Sequence, residues 1–153
     1  MTEKLDFETE KIAQFQELAG KKIMVLATSA NDRVTARSMS VIFLDGRVYF
    51  QTDRVMEKAR QIELNPNVAL CADDFQLTGT ARILGPWGEN KQILNEYLKV
   101  HKNSYLRYEN LATEVLVEVV ISQIKRWKYI DDQPFLYEMD LPAQTVELKP
   151  YLV

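Results

Sequence analysis

The sequence predicts a mainly β, α+β domain: a closed or nearly closed antiparallel barrel with helices at its periphery. Short segments with strand patterns follow one another through connections of hairpin length. Repeated strand–helix–strand units, which would build a parallel sheet, are absent. A chain rich in antiparallel strands and poor in covering elements removes its sheet edges most simply by closing on itself. The 153 residues are 46% apolar and 27% charged, an ordinary globular composition. At this length folding buries roughly 70% of the unfolded surface, enough for one sizeable core. No linker, charge block or internal repeat interrupts the chain, so residues 1–153 read as one domain.

Residues 7–19 place Ile12, Phe15, Leu18 and Ala19 at helical spacing, with Gly20 as a suitable stop. The stretch Lys22–Ser29 reads as a buried strand. Asn31 and Asp32 supply a turn, and Val34–Leu44 reads as one long second strand. Asp45-Gly46 fits a hairpin turn into a third strand, Arg47–Thr52, because glycine tolerates the positive φ of tight turns. From Arg54 to Leu64 the period changes. Met56, Ala59 and Ile62 recur among polar residues, a short helix ended near Asn65-Pro66, since a residue before proline avoids helical angles. Asn67–Asp73 and Gln76–Leu84 follow as strands. Residues 88–101 form another amphipathic helix with Leu94, Tyr97 and Leu98 inward. Thr113–Ser122 alternates, setting Val115, Val117, Val119 and Ile121 against Glu114 and Glu118. Ile124–Ile130 is the last strand, and no pattern assigns the tail from Asp131.

Several functions are excluded at this stage. Nineteen basic residues against twenty-two acidic ones give a net charge of −3, which argues against a broad nucleic-acid surface while leaving room for one basic pocket. A barrel that binds single strands would need a basic groove lined with stacking aromatics. No apolar run is long enough to span a bilayer, and the charged N-terminus lacks the apolar stretch of a secretory signal, so the expected setting is the cytoplasm, with no membrane partner. One cysteine and one histidine leave no internal disulfide and no metal site built from those residues. Gly-rich phosphate loops and nucleophile elbows are also absent. If the protein is an enzyme, a cofactor carries the reaction.

The informative stretch is Val34–Asn67. Period-two geometry puts Arg37, Met39 and Val41 on one strand face, and Ser38, Ser40 and Ile42 on the other. The hairpin returns Gln51 and Thr52 toward the start of the second strand. Thr52 or Asp53 then begins a helix whose free N–H groups favour an anion, with Lys58 one turn in. These groups would converge on a phosphate dianion. The competing reading makes Arg37 a solvated strand residue and Arg54 and Lys58 a helix surface, with Asp53 repelling any phosphate that it faces.

The ordered series V-L-A-T-S, A-R-S-M, D-G-x-V-Y-F-Q-T, K-x-R-Q-I-x-x-N-P-N-V-A-L and G-T-A resembles the pyridoxamine 5′-phosphate oxidase-like, FMN-binding split-barrel family, especially its small general-stress-protein-like members. The resemblance is strongest over residues 20–85. It implies a six-stranded antiparallel split barrel, a homodimer, and FMN in clefts at the dimer interface. By position, Arg37 resembles the strand arginine on the FMN phosphate and Lys58 its helix partner. Thr52 matches the hydroxyl of the next strand, with Gln51 beside it. Ser38 and Met39 fall where the family borders the isoalloxazine ring. Met56 and Glu57 stand where many members have a serine and a second basic residue, which implies a weaker phosphate grip or a related flavin. Asp74 and Gln76 are candidate polar contacts across the dimer. Trp127 is a candidate cover for the ring or ribityl chain, with a core or interface tryptophan as the equal alternative.

The family's true pyridoxamine phosphate oxidases carry a late Arg-x-His element that grips substrate. No histidine follows His101 here, so the resemblance implies an FMN-dependent oxidoreductase acting on another small organic molecule, with a non-catalytic flavin or haem carrier, or a stress sensor, as the alternative. His101 extends the apolar face of its helix and reads as a packing residue. Cys71 reads as a small buried apolar residue. The Tyr105–Tyr108 segment either lines a substrate opening or packs at a helix end. Apolar residues on both faces of the second strand (Met39, Val41 and Phe43 against Val34, Ala36 and Ile42) give the homodimer some physical support.

Overall fold

The structure, a computed structural model, describes residues 1–108 and 110–151. In chain order the elements are β1 (Glu3–Leu5), α1 (Phe7–Ala19), β2 (Ile23–Ala30), β3 (Arg33–Ser40), β4 (Ile42–Leu44), β5 (Arg47–Asp53) and α2 (Glu57–Leu64). They continue with β6 (Asn67–Ala72), β7 (Phe75–Pro86), α3 (Lys91–Tyr108), β8 (Glu114–Ile130), β9 (Gln133–Asp140) and β10 (Thr145–Pro150). Every strand pairing is antiparallel.

The 17-residue β8 organises the sheet. One edge pairs with β7. The other pairs first with β5, from Glu114 to Val120, and then with β9, from Gln123 to Ile130. Pairing therefore runs from β2 through β6, β7, β8 and β5 to β4, which the chain joins back to β3 and β2. Inside this ring lie Leu26, Val41, Val48, Phe50, Leu77 and Val117, all essentially without solvent contact. Removing such side chains from water is the main force that closes the ring.

The sheet has ten strands, not the six expected. Two physical causes account for the difference. The expected long second strand breaks at Val41 into β3 and β4. The tail from Asp131, which shows no pattern of its own, forms β9 and β10 because the second half of β8 overhangs the ring and offers an open edge; β1 then pairs with β10. The turn into β9 is made by Asp131 and Asp132 at φ 50° and 61°, the same two-residue geometry that Asn31 and Asp32 adopt at 51° and 63°. Two successive positive φ values match the twist of antiparallel strands.

The helices also differ in detail. On α1 the inward residues are Gln14 and Leu18, while Ile12 and Ala19 face out. Helix α2 starts at Glu57 rather than near Arg54, because Asp53 first forms a turn: its carbonyl accepts from Met56 N and its carboxylate from Val55 N. Met56 is thus a half-exposed N-cap rather than an inward residue. Helix α3 runs on to Tyr108, kinked at His101, and buries Ile93, Tyr97 and His101. It covers the outer side of β4, β5 and β8 through a second apolar cluster containing Ile42, Tyr49, Ile93, Tyr97 and Leu116. Cys71 is exposed, not buried, because Val68, Leu70 and Ala72 take the inward positions of β6. No helix among the described residues is long and apolar enough to cross a membrane.

Candidate functional site

The β4–β5 hairpin holds together for only three residue pairs, Ile42–Tyr49, Phe43–Val48 and Leu44–Arg47. Beyond them Val41 N bonds to Lys22 O at 3.0 Å, drawing the chain onto β2. From there β3 follows β2 while β5 follows β8, and the two strands part. A cleft of about 260 Å³ opens in the gap. Its walls are Ser38, Met39 and Ser40 of β3 and Gln51, Thr52 and Asp53 of β5. Met56 and Lys58 close it from the α2 side, and Tyr97, Ser104 and Tyr108 from α3; Glu114 at the start of β8 completes it.

The cleft carries basic groups that are incompletely paired among the described residues. Among the described residues the Lys58 ammonium hydrogen-bonds only to the Met56 thioether, at 3.1 Å, and joins no ion pair. Burial, and then the Arg37 charge, push its pKa below the ordinary value, against the pull of Glu114 and Asp53. Arg37 does not itself line the cleft. Its guanidinium donates to Leu26 O at 3.2 Å, to Thr28 Oγ1 at 2.9 Å and to Thr35 Oγ1, all uncharged acceptors. Both hydroxyls donate in turn to Gln61 Oε1 of α2, at 2.6 and 2.7 Å, which locks the arginine to the helix. Glu57, the carboxylate next to Lys58, is taken by Arg33 at 3.1 Å. The first turn of α2 has no side-chain cap. Thr52 Oγ1 and Gln51 Nε2 are buried with no hydrogen-bond partner among the described residues. Such groups are costly to leave unpaired. Two cations outside every ion pair among the described residues, an unpartnered hydroxyl and an uncapped helix start form a donor set that suits a phosphate.

The cleft also carries acidic groups, close enough for their charges to act on Lys58. Glu114 sits opposite Asp53 in the β5–β8 register and is 7% exposed. Burial, and then the Asp53 charge, raise its pKa; the neighbouring Gln51 amide and Lys58 oppose the rise. Burial and the Glu114 charge push the Tyr97 hydroxyl up to about 12, so it stays protonated at neutral pH.

Of the residues singled out from sequence, Ser38, Met39, Gln51, Thr52 and Lys58 line this cleft, and Arg37 stands close enough for its charge to act on Lys58. Gln51 and Thr52 face the end of β3 rather than its start, since the hairpin register points them toward Ser40 and Met39. Trp127 does not line the cleft of its own chain. It lies on β8 with its ring 4.9 Å from Tyr151 and 6.3 Å from Tyr129. Asp74 is engaged by Arg126 and Gln76 is exposed on β7; neither lines the cleft within one chain. His101 is a packing residue, its Nε2 2.8 Å from Val41 O and its ring against Tyr97. Within the Tyr105–Tyr108 segment Tyr108 lines the cleft, while Tyr105 packs on Trp87. Sequence reasoning missed Glu114, read as an outward strand residue. The sequence carries no signal of this, because its place across from Asp53 is set by the long-range β5–β8 pairing.

A family model described as pyridoxamine 5′-phosphate oxidase matches residues 9–128, and the chain belongs to that family. No curated protein matches the chain. Among solved structures, General Stress Protein 26 from Bacillus anthracis is 27% identical, with 76% of this chain and 91% of that one covered and a TM-score of 0.59. A pyridoxamine 5′-phosphate oxidase-related, FMN-binding protein from Nostoc punctiforme is 15% identical over 95% of both chains, with a TM-score of 0.64. HutZ, the haem storage protein from Vibrio cholerae, is 17% identical over 76% of this chain and 91% of its own, with a TM-score of 0.59. The architecture is accordingly that of the family's split barrel, and the cleft lies in the split.

Proposed function

We propose that the cleft holds FMN and that the chain works as a homodimeric, FMN-dependent oxidoreductase on a small organic molecule. The observation that carries this is that, among the described residues, Arg37 and Lys58 form no ion pair and the nearby Thr52 hydroxyl is unpartnered. These three residues would hold the phosphate. Gln51, Ser38 and Met39 would border the rest of the cofactor, and Trp127 would reach it from a second copy of the chain. FMN, when bound, supplies reversible acceptance of an electron pair, so the protein need only bind, orient and shield.

The size and surroundings of the cleft support a homodimer. At about 260 Å³ it falls below the roughly 300–1,000 Å³ of a complete small-molecule site. Ser38 connects it to the outer face of β2, β3 and β6, where Ile23, Val25 and Val34 are exposed. A second copy laid on that face would cover the apolar residues and complete the wall. Sedimentation as a monomer at micromolar concentration would contradict this arrangement.

Family membership does not extend the proposal to pyridoxamine phosphate oxidation, because the late substrate-gripping histidine is missing. Haem carriage is the alternative, and the only histidine argues against imidazole ligation: His101 is buried under its own helix and bonded to Val41 O. The test is the visible absorption spectrum of the protein after incubation with FMN and desalting. A two-band flavin spectrum is expected, with retention falling about tenfold in Lys58→Met while sedimentation is unchanged. A colourless parent protein would overturn the flavin, a Soret band after exposure to haemin would favour the alternative, and equal retention in parent and variant would overturn the assigned site.

A further inference from the structure

Gln61 belongs to the K-x-R-Q-I run of α2 and stands three residues after Lys58. It is 5% exposed, and its amide is engaged at both ends. Nε2 donates to Arg33 O at 3.1 Å, while Oε1 accepts from Thr28 Oγ1 at 2.6 Å and from Thr35 Oγ1 at 2.7 Å. The amide has only this orientation, because the Arg33 carbonyl can only accept. A hydroxyl has one proton, and each threonine spends its proton on Gln61. Although the two hydroxyls lie 3.3 Å apart, both are left with lone pairs alone for a third partner. That partner is Arg37, which can only donate, and whose guanidinium reaches Thr28 Oγ1 at 2.9 Å and also Thr35 Oγ1. The chain of bonds thus has one direction, from the arginine through two hydroxyls to the amide oxygen.

Every acceptor in this chain is uncharged. A carboxylate at position 61 would take the same two hydroxyl protons, but it would set a negative charge near Arg37 and answer that cation from within the protein. Glu57, the carboxylate whose charge does act on Arg37, is itself held by Arg33. We propose that Gln61 is a positioning residue for the anion site: it orients two threonine hydroxyls so that neutral acceptors hold Arg37 in place and its charge stays free for a phosphate. Gln61 and Lys58 are three residues apart on one helix, so the same amide sets the cation of β3 and the cation of α2 in a fixed relation. This role rests on the phosphate reading of the cleft and deepens it, by naming the residue that holds the grip open.

The test compares FMN with riboflavin, its counterpart without the phosphate, by fluorescence titration of the full chain, alongside the NMR signals of the Arg37 guanidinium. In the parent protein the Arg37 Nη protons should give separate, slowly exchanging resonances, identified by their loss in Arg37→Met. Gln61→Met removes the acceptor, so these resonances should merge and the preference for FMN over riboflavin should fall about tenfold. Gln61→Glu keeps the acceptor and adds a charge, so the resonances should stay separate while the preference falls by about as much. Thr35→Val, at a half-buried position, removes one link without touching the helix, and should loosen Arg37 even if the Gln61 variants do not fold. Equal losses of FMN and riboflavin would overturn the role, by making Gln61 a structural residue. Merged resonances in the parent, resonances unchanged in Gln61→Met or Thr35→Val, or an unchanged preference in Gln61→Glu would each overturn it as well. A parent that binds neither flavin would sink the flavin, and the Arg37 resonances, with their shift on addition of inorganic phosphate, would then decide the role of Gln61.

Discussion

Two arginines on this barrel live by opposite rules. Arg126, on β8, is held by both oxygens of Asp74 at 2.8 Å, by Glu17 at 2.6 and 2.9 Å, and by Gln14 at 2.9 Å, and it lies 3.8 Å over the Phe75 ring. Its charge is answered twice, and it ties α1 to the turn between β6 and β7. Among the described residues Arg37, on β3, hydrogen-bonds only to a carbonyl and two hydroxyls, and the nearby Lys58 joins no ion pair. A saturated arginine is a fastening. An arginine whose charge is left unanswered beside a cleft is a place for something to bind. The difference lies first in the partners: Arg126 is buried and Arg37 half-buried, so neither stands free in solvent.

Exchanging each arginine for methionine separates the roles. Arg37→Met is expected to lower FMN affinity by about 10- to 100-fold, the usual worth of hydrogen bonds to a charged group, and to shift the melting temperature of the flavin-free protein little. Titration of flavin fluorescence checks the first part and thermal unfolding the second. Arg126→Met should do the opposite. It should cost about 2 kcal/mol of stability, less than a fully buried pair because Glu17 and Asp74 are partly exposed and regain water, with flavin retention unchanged. A flavin defect in Arg126→Met, or a large loss of stability in Arg37→Met, would collapse the distinction.

Acid should weaken the same fastening. The Arg126 hydrogen bonds hold the Glu17 and Asp74 carboxyls below their ordinary values of 4.5 and 3.8. A depressed carboxylate contributes stability that is complete above its unfolded value and is lost as pH falls through its folded value. The stability gap between parent and Arg126→Met should therefore be constant near neutral pH and narrow below about pH 4.5. Denaturant midpoints measured across that range would show it. A gap that stayed constant into acid would mean that the variant loses packing on Phe75 rather than its ion pairs.

Much of this was legible in the chain. Asp45-Gly46 marks a hairpin that the structure builds at φ 49° and 81°, and that hairpin brings Gln51 and Thr52 to the cleft. The same pattern puts Lys58 on a short helix, and the structure sets it against the cleft. What periodicity cannot show is what covers a face. It puts Glu114 and Glu118 on the outer side of β8 and stops there, yet α3 lies across that side and turns Glu114 into a buried residue. Glu118 survives the same cover differently, because Tyr49, Arg47 and Arg82 all reach it. The strands after Asp131 were hidden for a related reason. Their stability comes from an open edge of β8, which no local pattern in their own residues records.

The smallest expected effect is also the sharpest, because its two halves have opposite signs. Thr52 is 3% exposed and its hydroxyl has no partner among the described residues. Thr52→Val keeps the shape and removes the group. If the hydroxyl waits for a ligand, the variant relieves an unpaired polar atom, and the flavin-free protein should gain about 1 kcal/mol, or about 3 °C in melting temperature at this size. FMN affinity should fall severalfold in the same protein, since the phosphate loses a donor. A structural hydroxyl would behave otherwise, with stability falling and affinity unmoved. Thermal unfolding with and without FMN reads both quantities from one sample. If stability rose while affinity held, Thr52 would be a buried defect beside the site rather than part of it, and the phosphate would rest on Arg37 and Lys58 alone.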